Sequence, residues 1–356
     1  MIPLYKPYMP ESLPELNNIL QSGALSYGKW GRKFEEKLGE FIGSTNIAVV
    51  NSFNSAMLVA LATLGVKAGD EVIASPMSCL ASNQPFATIG AKVVWADIDP
   101  EVGTLCPSSV KQKITPKTKA IFHNHFCGYP GYIDEINEIG KQYGVYVVDD
   151  AIEAYGSKYK GKIIGNTGTD ATVFSFQTVR LPNTIDGGAV SFKDDMLFEK
   201  AKRIRDYGIR RELFRDENGE ISKNCDITEP GYGATLSEIN SYIGCVQMEL
   251  ISKLVDKQRE NAKTWLEMIK IQNHSILDLQ KSFQNPNFWV FGILASNKME
   301  VLKYYREKGF YASGVHLNNN VYSVFGDQIK LPGVTKFYNC FLALPSGWWV
   351  KSEQIS

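Results

Sequence analysis

Two acidic residues, Asp149 and Asp150, close the apolar run Tyr146-Val147-Val148, and a third, Glu153, follows three positions later. A carboxylate at a strand end either caps the strand or the next helix or is kept there to hold a proton on a partner nitrogen, and residue type and spacing leave both readings open. Asn51-Ser52-Phe53-Asn54-Ser55-Ala56 follows another apolar run, Ile47-Val50. Ser55 and Ala56 are expected to open a helix there, where free N–H groups and the helix dipole favour a phosphate; an unliganded helix cap is the simpler reading of that motif alone. Ser175 can lend a hydroxyl to the same anion, and Gly187-Gly188 marks a tight turn where backbone can approach closely. His125 ends a third run and serves either a ligand or the core. Arg180, in Gln177-Thr178-Val179-Arg180, adds a guanidinium, which stays protonated and is a poor nucleophile.

The elements that must position these residues are legible as alternation. Strands are expected at Ile47-Val50, Glu71-Ser75, Lys92-Asp97, Ala120-His125, Tyr146-Asp150, Thr172-Phe176 and Gly188-Phe192, with amphipathic helices such as Ala56-Leu64 and Tyr132-Tyr143 between them. Nearly continuous apolar strands separated by helices imply an α/β fold with a mostly parallel seven-stranded sheet covered on both faces. Ligands of such sheets sit at the carboxyl ends of the strands, where the polar residues above lie. After about residue 225 the pattern changes: Leu236-Leu266 reads as one helix long enough to bridge two domains. Phe288-Leu294, Met299-Gly309 and the stretch to Val350 read as a smaller α+β unit. The expected division is 1–235 for a large domain with an N-terminal arm and 236–356 for the bridging helix and small domain. Gly208-Ser222 is expected to be an exposed loop.

Composition sets outer bounds. Thirty-eight basic and 38 acidic residues cancel and 44% of the chain is hydrophobic, so no global field recruits nucleic acid or an anionic membrane. No apolar run approaches the length of about 18 residues that a membrane span needs. Six cysteines without paired spacing, and no leader pattern in Met1-Ile2-Pro3-Leu4-Tyr5-Lys6-Pro7, point to free thiols in a reducing cytoplasm and to no metal site.

Asp149-Asp150-Ala151-Ile152-Glu153-Ala154-Tyr155-Gly156, followed by Ser175-Phe176 and Gly187-Gly188, resembles the DegT/StrS family of fold-type I pyridoxal-phosphate enzymes, chiefly aminotransferases of nucleotide-linked keto sugars. Other segments match in the same order: the Asn51-Ala56 phosphate turn, Ser75-Pro76-Met77-Ser78-Cys79, His125-Phe126-Cys127-Gly128, Gly231-Tyr232 and Leu344-Pro345-Ser346-Gly347-Trp348-Trp349. The resemblance implies a pyridoxal or pyridoxamine 5'-phosphate cofactor held by Asn54, Ser55, Ala56, Cys79, Asp150, Glu153, Ser175 and Gln177. It also implies Asp150 on the pyridine nitrogen, glutamate or a similar amino donor, and a homodimer with shared sites. Trp348-Trp349 is expected to pack rather than to carry substrate.

The departures from that family are as informative. Arg180 stands where relatives carry the lysine that bonds the cofactor aldehyde, so the cofactor is expected to be held non-covalently. Glu153 replaces a Gln or His, Cys79 replaces an aromatic ring, and Gly233 occupies a usually polar position in the loop that reaches the partner subunit. Glu153 and Arg180 are expected to pair in a site too dry for either charge alone. With Arg180 and His125 as the candidate catalytic groups, three functions compete. They are a keto-sugar aminotransferase of altered mechanism in deoxyamino-sugar, O-antigen or capsule synthesis, a pyridoxamine-phosphate-dependent sugar dehydratase, and an inactive binding or partner subunit.

Overall fold

The computed structural model describes residues 1–272, 275–277 and 284–355. Seven strands form the central sheet in the spatial order Ile47–Val50, Gly188–Phe192, Ala171–Ser175, Tyr146–Ala151, Thr118–Asn124, Glu71–Ala74 and Lys92–Trp95. Gly188–Phe192 runs antiparallel to both neighbours, and the other pairings are parallel. Each lies within about two residues of its expected position, because buried β-branched runs and helical stretches differ in period.

Side chains alternate between the faces of this sheet, and two separate cores record the alternation. Val72, Ala120, Phe122 and Val148 enter one apolar cluster, while Ile73, Ile121 and Val147 enter another. Asn124 pairs with Asp150 across the ladder, and His123 with Asp149. Asn124 and Asp150 therefore extend the first face at the carboxyl ends of their strands, and His123 and Asp149 extend the second.

Two expectations about helices need correction. The helix after Ile47–Val50 begins at Phe53, with the Ser52 hydroxyl accepting from the Ser55 N–H, so Ser55 lies inside the first turn. Ser52, three residues before Ser55, sets the start instead because its side chain supplies the missing acceptor. The expected single helix over 236–266 is two, Glu238–Met248 and Ile251–Gln272. Between them Glu249 and Leu250 close i,i+3 bonds to Val246 and Gln247, a tighter turn that the apolar period does not register.

A second, three-stranded antiparallel sheet contains Ser275–Ile276, Phe291–Leu294 and Phe341–Leu344. Its middle strand starts three residues later than expected because Phe288 adopts φ 51° and the Asn287 side chain caps the Trp289 N–H. Asn287 also donates to the Glu153 and Tyr155 carbonyls and its N–H bonds the Ser157 hydroxyl, fastening this region onto the segment after Asp150. Within the expected exposed loop Gly208-Ser222, residues 211–220 are almost wholly exposed, whereas Gly208 is buried and Ile209 and Ser222 are half-buried. Among the described residues no helix is long and apolar enough to cross a membrane.

Candidate active site

The carboxyl end of the Tyr146–Ala151 strand delivers Asp150 into a fully buried position. Its Oδ2 accepts from the Asn124 amide at 2.8 Å and its Oδ1 from the Ile152 N–H at 3.1 Å. Burial raises its carboxyl above the usual range despite these donors. Next along the sheet, Ser175 ends its strand opposite Gly188, and Gly188 lies opposite Val50. A Cβ on Gly188 would stand 2.7 Å from the Phe174 carbonyl and 2.9 Å from that of Ser52. The glycine thus lets the Ser175 strand close on the start of the Phe53–Thr63 helix, the anion-favouring end of an eleven-residue dipole. Ser55 there is half-buried, with its hydroxyl on Asn51 Oδ1 at 2.6 Å, and Asn54 is exposed while Ala56 is buried. The Ser175 hydroxyl accepts from the N–H of half-buried Gln177 at 3.4 Å.

Glu153 is the hub of the other half of the site. Its side chain is 1% exposed; Oε2 accepts from the Cys127 N–H at 2.7 Å, and Oε1 lies 2.8 Å from His316 Nε2 and 3.6 Å from Arg180 Nη2. Cys127 reaches it through a left-handed backbone conformation, φ 55°. Burial would raise the Glu153 carboxyl, but His316, Arg180 and the Cys127 N–H outweigh it and hold the carboxyl below its ordinary range. The expected Arg180–Glu153 pair is therefore present. At 3.6 Å it is longer than the 2.7–2.9 Å typical of charge-assisted hydrogen bonds, because His316 takes the closer position.

Arg180 is 6% exposed and stacks over the Trp289 ring at 4.3 Å. The Trp289 indole N–H holds the Val179 carbonyl at 3.1 Å, and its ring stacks on Tyr5 at 4.5 Å. Among the described residues two guanidinium nitrogens, Nε and Nη1, have no hydrogen-bond partner. The Tyr5 phenol belongs to the same neighbourhood: burial raises it, and Cys127 and Glu153 raise it further. Half-buried Cys79 is raised by burial and by Glu153. Asn319 donates to the Ser78 and Cys79 carbonyls, fixing that loop.

His125 does not join this set. Its Nδ1 accepts from the Gly131 N–H, which places its ring proton on Nε2, and Nε2 faces Asp149 Oδ1 at 3.3 Å. As a candidate catalytic group His125 stands apart from the Asp150 side chain: its ring lies with Asp149 and His123, whose side chains belong to the opposite face. His123 is pushed down to about 3 by burial and by His125, so it is neutral. The ligating atoms of His123, His125 and Asp149 lie within 4.8 Å of one another. The tautomer that Gly131 imposes leaves His125 Nε2 without a lone pair for an ion.

Four contributors were not evident in the sequence: His316, Trp289, Asn287 and Tyr5. The one local signal for His316 is Val315 at φ 63°, a conformation that β-branched residues rarely adopt and that marks a constrained segment. Gly233 lies against Tyr207, whose hydroxyl would be 2.2 Å from an added Cβ, so a larger residue there needs Tyr207 to move. Trp348 and Trp349 pack against the N-terminal segment, through a Tyr8 edge contact and a Trp349 bond to the Pro3 carbonyl.

Comparison with known proteins agrees with this architecture. The model of the DegT/DnrJ/EryC1/StrS aminotransferase family matches residues 8–356. An uncharacterized protein of Methanocaldococcus jannaschii, MJ1066, is 33% identical over 280 residues, which span 78% of this chain and 70% of that protein. The sugar aminotransferase CalS13 from Micromonospora echinospora superposes with a TM-score of 0.92 at 26% identity, covering 100% of this chain and 97% of the other. AtS13 from Actinomadura melliaura gives 0.90 at 27% identity over 100% and 96%.

Proposed function

Since the chain belongs to the DegT/DnrJ/EryC1/StrS aminotransferase family, we propose that it acts on a nucleotide-linked keto sugar with a pyridoxal- or pyridoxamine-phosphate cofactor that it holds without a covalent bond. The observation that carries this reading is Arg180, buried beside Glu153 at 3.6 Å with two donors unfilled among the described residues; the sequence motifs align it with the family's lysine. Unpartnered buried donors cost stability until an acceptor arrives, so the pocket fits an oxygen-rich ligand. The raised carboxyl of Asp150 fits a protonated ring nitrogen, which would restore its charge.

When bound, the cofactor supplies a ring that draws electrons from the carbon beside the transferred nitrogen. Asp150 holds the ring nitrogen, the Phe53–Thr63 helix start with Ser55 and Ser175 receives the phosphate, and the loop ending at Cys79 bounds the ring. Arg180 has no lone pair with which to move a proton at neutral pH. His316, 2.8 Å from Glu153, is the imidazole placed to do so. In this reading residues 1–235 form the cofactor domain and 236–356 the smaller one, two copies assemble with shared sites, and glutamate or a similar amino acid is the donor. The route is deoxyamino-sugar synthesis for a surface polysaccharide.

An absorbance titration tests the cofactor assignment. Purified protein is expected to retain pyridoxal or pyridoxamine phosphate through desalting, with no borohydride-fixed adduct on the peptide containing residue 180. Failure to retain either form at millimolar concentration would leave a non-catalytic partner subunit, consistent with the deep burial of both Arg180 and Glu153.

A further inference from the structure

The wall formed by Glu153 and Arg180 presents opposite charges with unequal needs. Glu153 keeps its position through the Cys127 N–H and His316, and its carboxylate remains acceptor-only. Arg180 lies over the Trp289 ring at 4.3 Å, is 6% exposed, and has Nε and Nη1 without hydrogen-bond partners among the described residues. A ligand reaching this wall meets an anion and an under-used cation 3.6 Å apart.

Such a wall complements a ligand that carries an ammonium next to an oxyanion. Pyridoxamine phosphate has both on adjacent ring positions, an aminomethyl group and a phenolic oxygen. Pyridoxal phosphate has the oxygen, but its aldehyde is a second acceptor facing the Glu153 carboxylate, and the chain offers it no amine at residue 180. An amino acid also pairs an ammonium with an oxyanion, though without the ring that Asp150 is suited to hold.

We propose that the Glu153–Arg180 wall selects the amine form of the cofactor over the aldehyde form, with Glu153 receiving the ammonium and Arg180 the ring oxygen. The inference rests on the reading that this pocket binds a pyridoxal-type cofactor at all.

Equilibrium binding of four probes to the full chain at neutral pH tests it: pyridoxamine phosphate, pyridoxal phosphate, 4-deoxypyridoxine phosphate, which has a methyl in place of the aminomethyl group, and L-glutamate. Pyridoxamine phosphate is expected to bind at least about ten-fold more tightly than either other phosphate, the worth of one charge-assisted hydrogen bond. Glu153→Gln is expected to shrink the preference over the deoxy analogue to less than about three-fold, while Asp150→Asn weakens all three phosphates together. Equal binding of the amine and deoxy forms by the unmodified chain, or tighter binding of L-glutamate than of any phosphate, overturns the selection while the other phosphates still report a cofactor site. Binding of none of the phosphates overturns the cofactor reading and the selection with it. Should Glu153→Gln fail to fold, the ratio measured on the unmodified chain decides.

Discussion

Asp149 and Asp150 are adjacent in the chain and both buried, yet they belong to sites of opposite kind on the two faces of the sheet. Asp149 is surrounded by residues at the end of one neighbouring strand and in the segment leading into the other, His123, His125, Thr167 and Thr169, the last donating at 2.8 Å. Burial works against its charge, but these groups hold its carboxyl below the ordinary range. On the other face Asp150 has its carboxyl raised by burial, and the pocket beside it draws on residues from much of the chain: Tyr5, Cys127, Glu153, Arg180, Trp289 and His316. Among the described residues both faces leave buried polar atoms without hydrogen-bond partners, His123 Nδ1 and Nε2, His125 Nε2 and Asp149 Oδ1 on one and Arg180 Nε and Nη1 on the other. They differ in charge: the first sets a carboxylate beside a neutral His123, the second sets one beside a guanidinium that stays protonated.

This contrast can be broken in several ways, the most severe at Glu153. Glu153→Ala leaves Arg180 buried without a counter-charge, and a loss of about 3–5 kcal/mol in denaturant unfolding is expected. A loss below about 1 kcal/mol would mean that Arg180 reaches solvent unaided, and that this face is no more demanding than an exposed ion pair.

A double-mutant cycle sharpens the comparison further. Glu153→Gln with Arg180→Met is expected to show a coupling of about 1–3 kcal/mol, against less than about 0.5 kcal/mol for Asp149→Asn with His123→Leu, since His123 is neutral. Equal couplings would place a charged partner on both faces.

The pH dependence of the two aspartates is expected to have opposite sign. The folded carboxyl of Asp149 lies below its ordinary value of 3.8, so its contribution is present above that pH and lost as pH falls through the folded value. Asp150 lies above 3.8, so the folded state favours its protonated form and stability declines as pH rises from about 3.8 through the folded value. Asp150→Asn is therefore expected to become more favourable, relative to the unmodified chain, between acid and neutral pH. Asp149→Asn should become less favourable over the acid range, and parallel stability curves for the two variants would dissolve the distinction.

The smallest effect is expected at Trp289. Trp289→Phe keeps a ring beneath Arg180 and drops the indole bond to the Val179 carbonyl at a cost of about 1 kcal/mol, and His123 and His125 ring resonances should stay in place. Their movement would show that the two faces are coupled.

Much of the fold was legible because period-two and period-3.6 apolar patterns are local and additive. The same locality hid the division of the 236–266 stretch, where a turn leaves the apolar phase intact, and the start of the helix at Phe53, where one serine hydroxyl decided the cap. For the site, the sequence supplied Asp150, Ser175, Glu153 and Arg180, and the unusual pair of charges suggested their contact. It left His125 open between a ligand and the core, because alternation along a strand says which residues share a face but not which neighbour they meet. That depends on ladder register: His123 opposite Asp149 and Asn124 opposite Asp150.

By itself, then, the sequence determined the alternation of strands and helices, the family and the chemical types available at the strand ends. Only the tertiary structure decided which face each carboxylate serves, and which distant residues complete the pocket. His316 lies 163 residues from Glu153 in the chain, and no local pattern encodes a contact between them. It exists because the packed fold brings an imidazole to a carboxylate that burial would otherwise leave uncompensated.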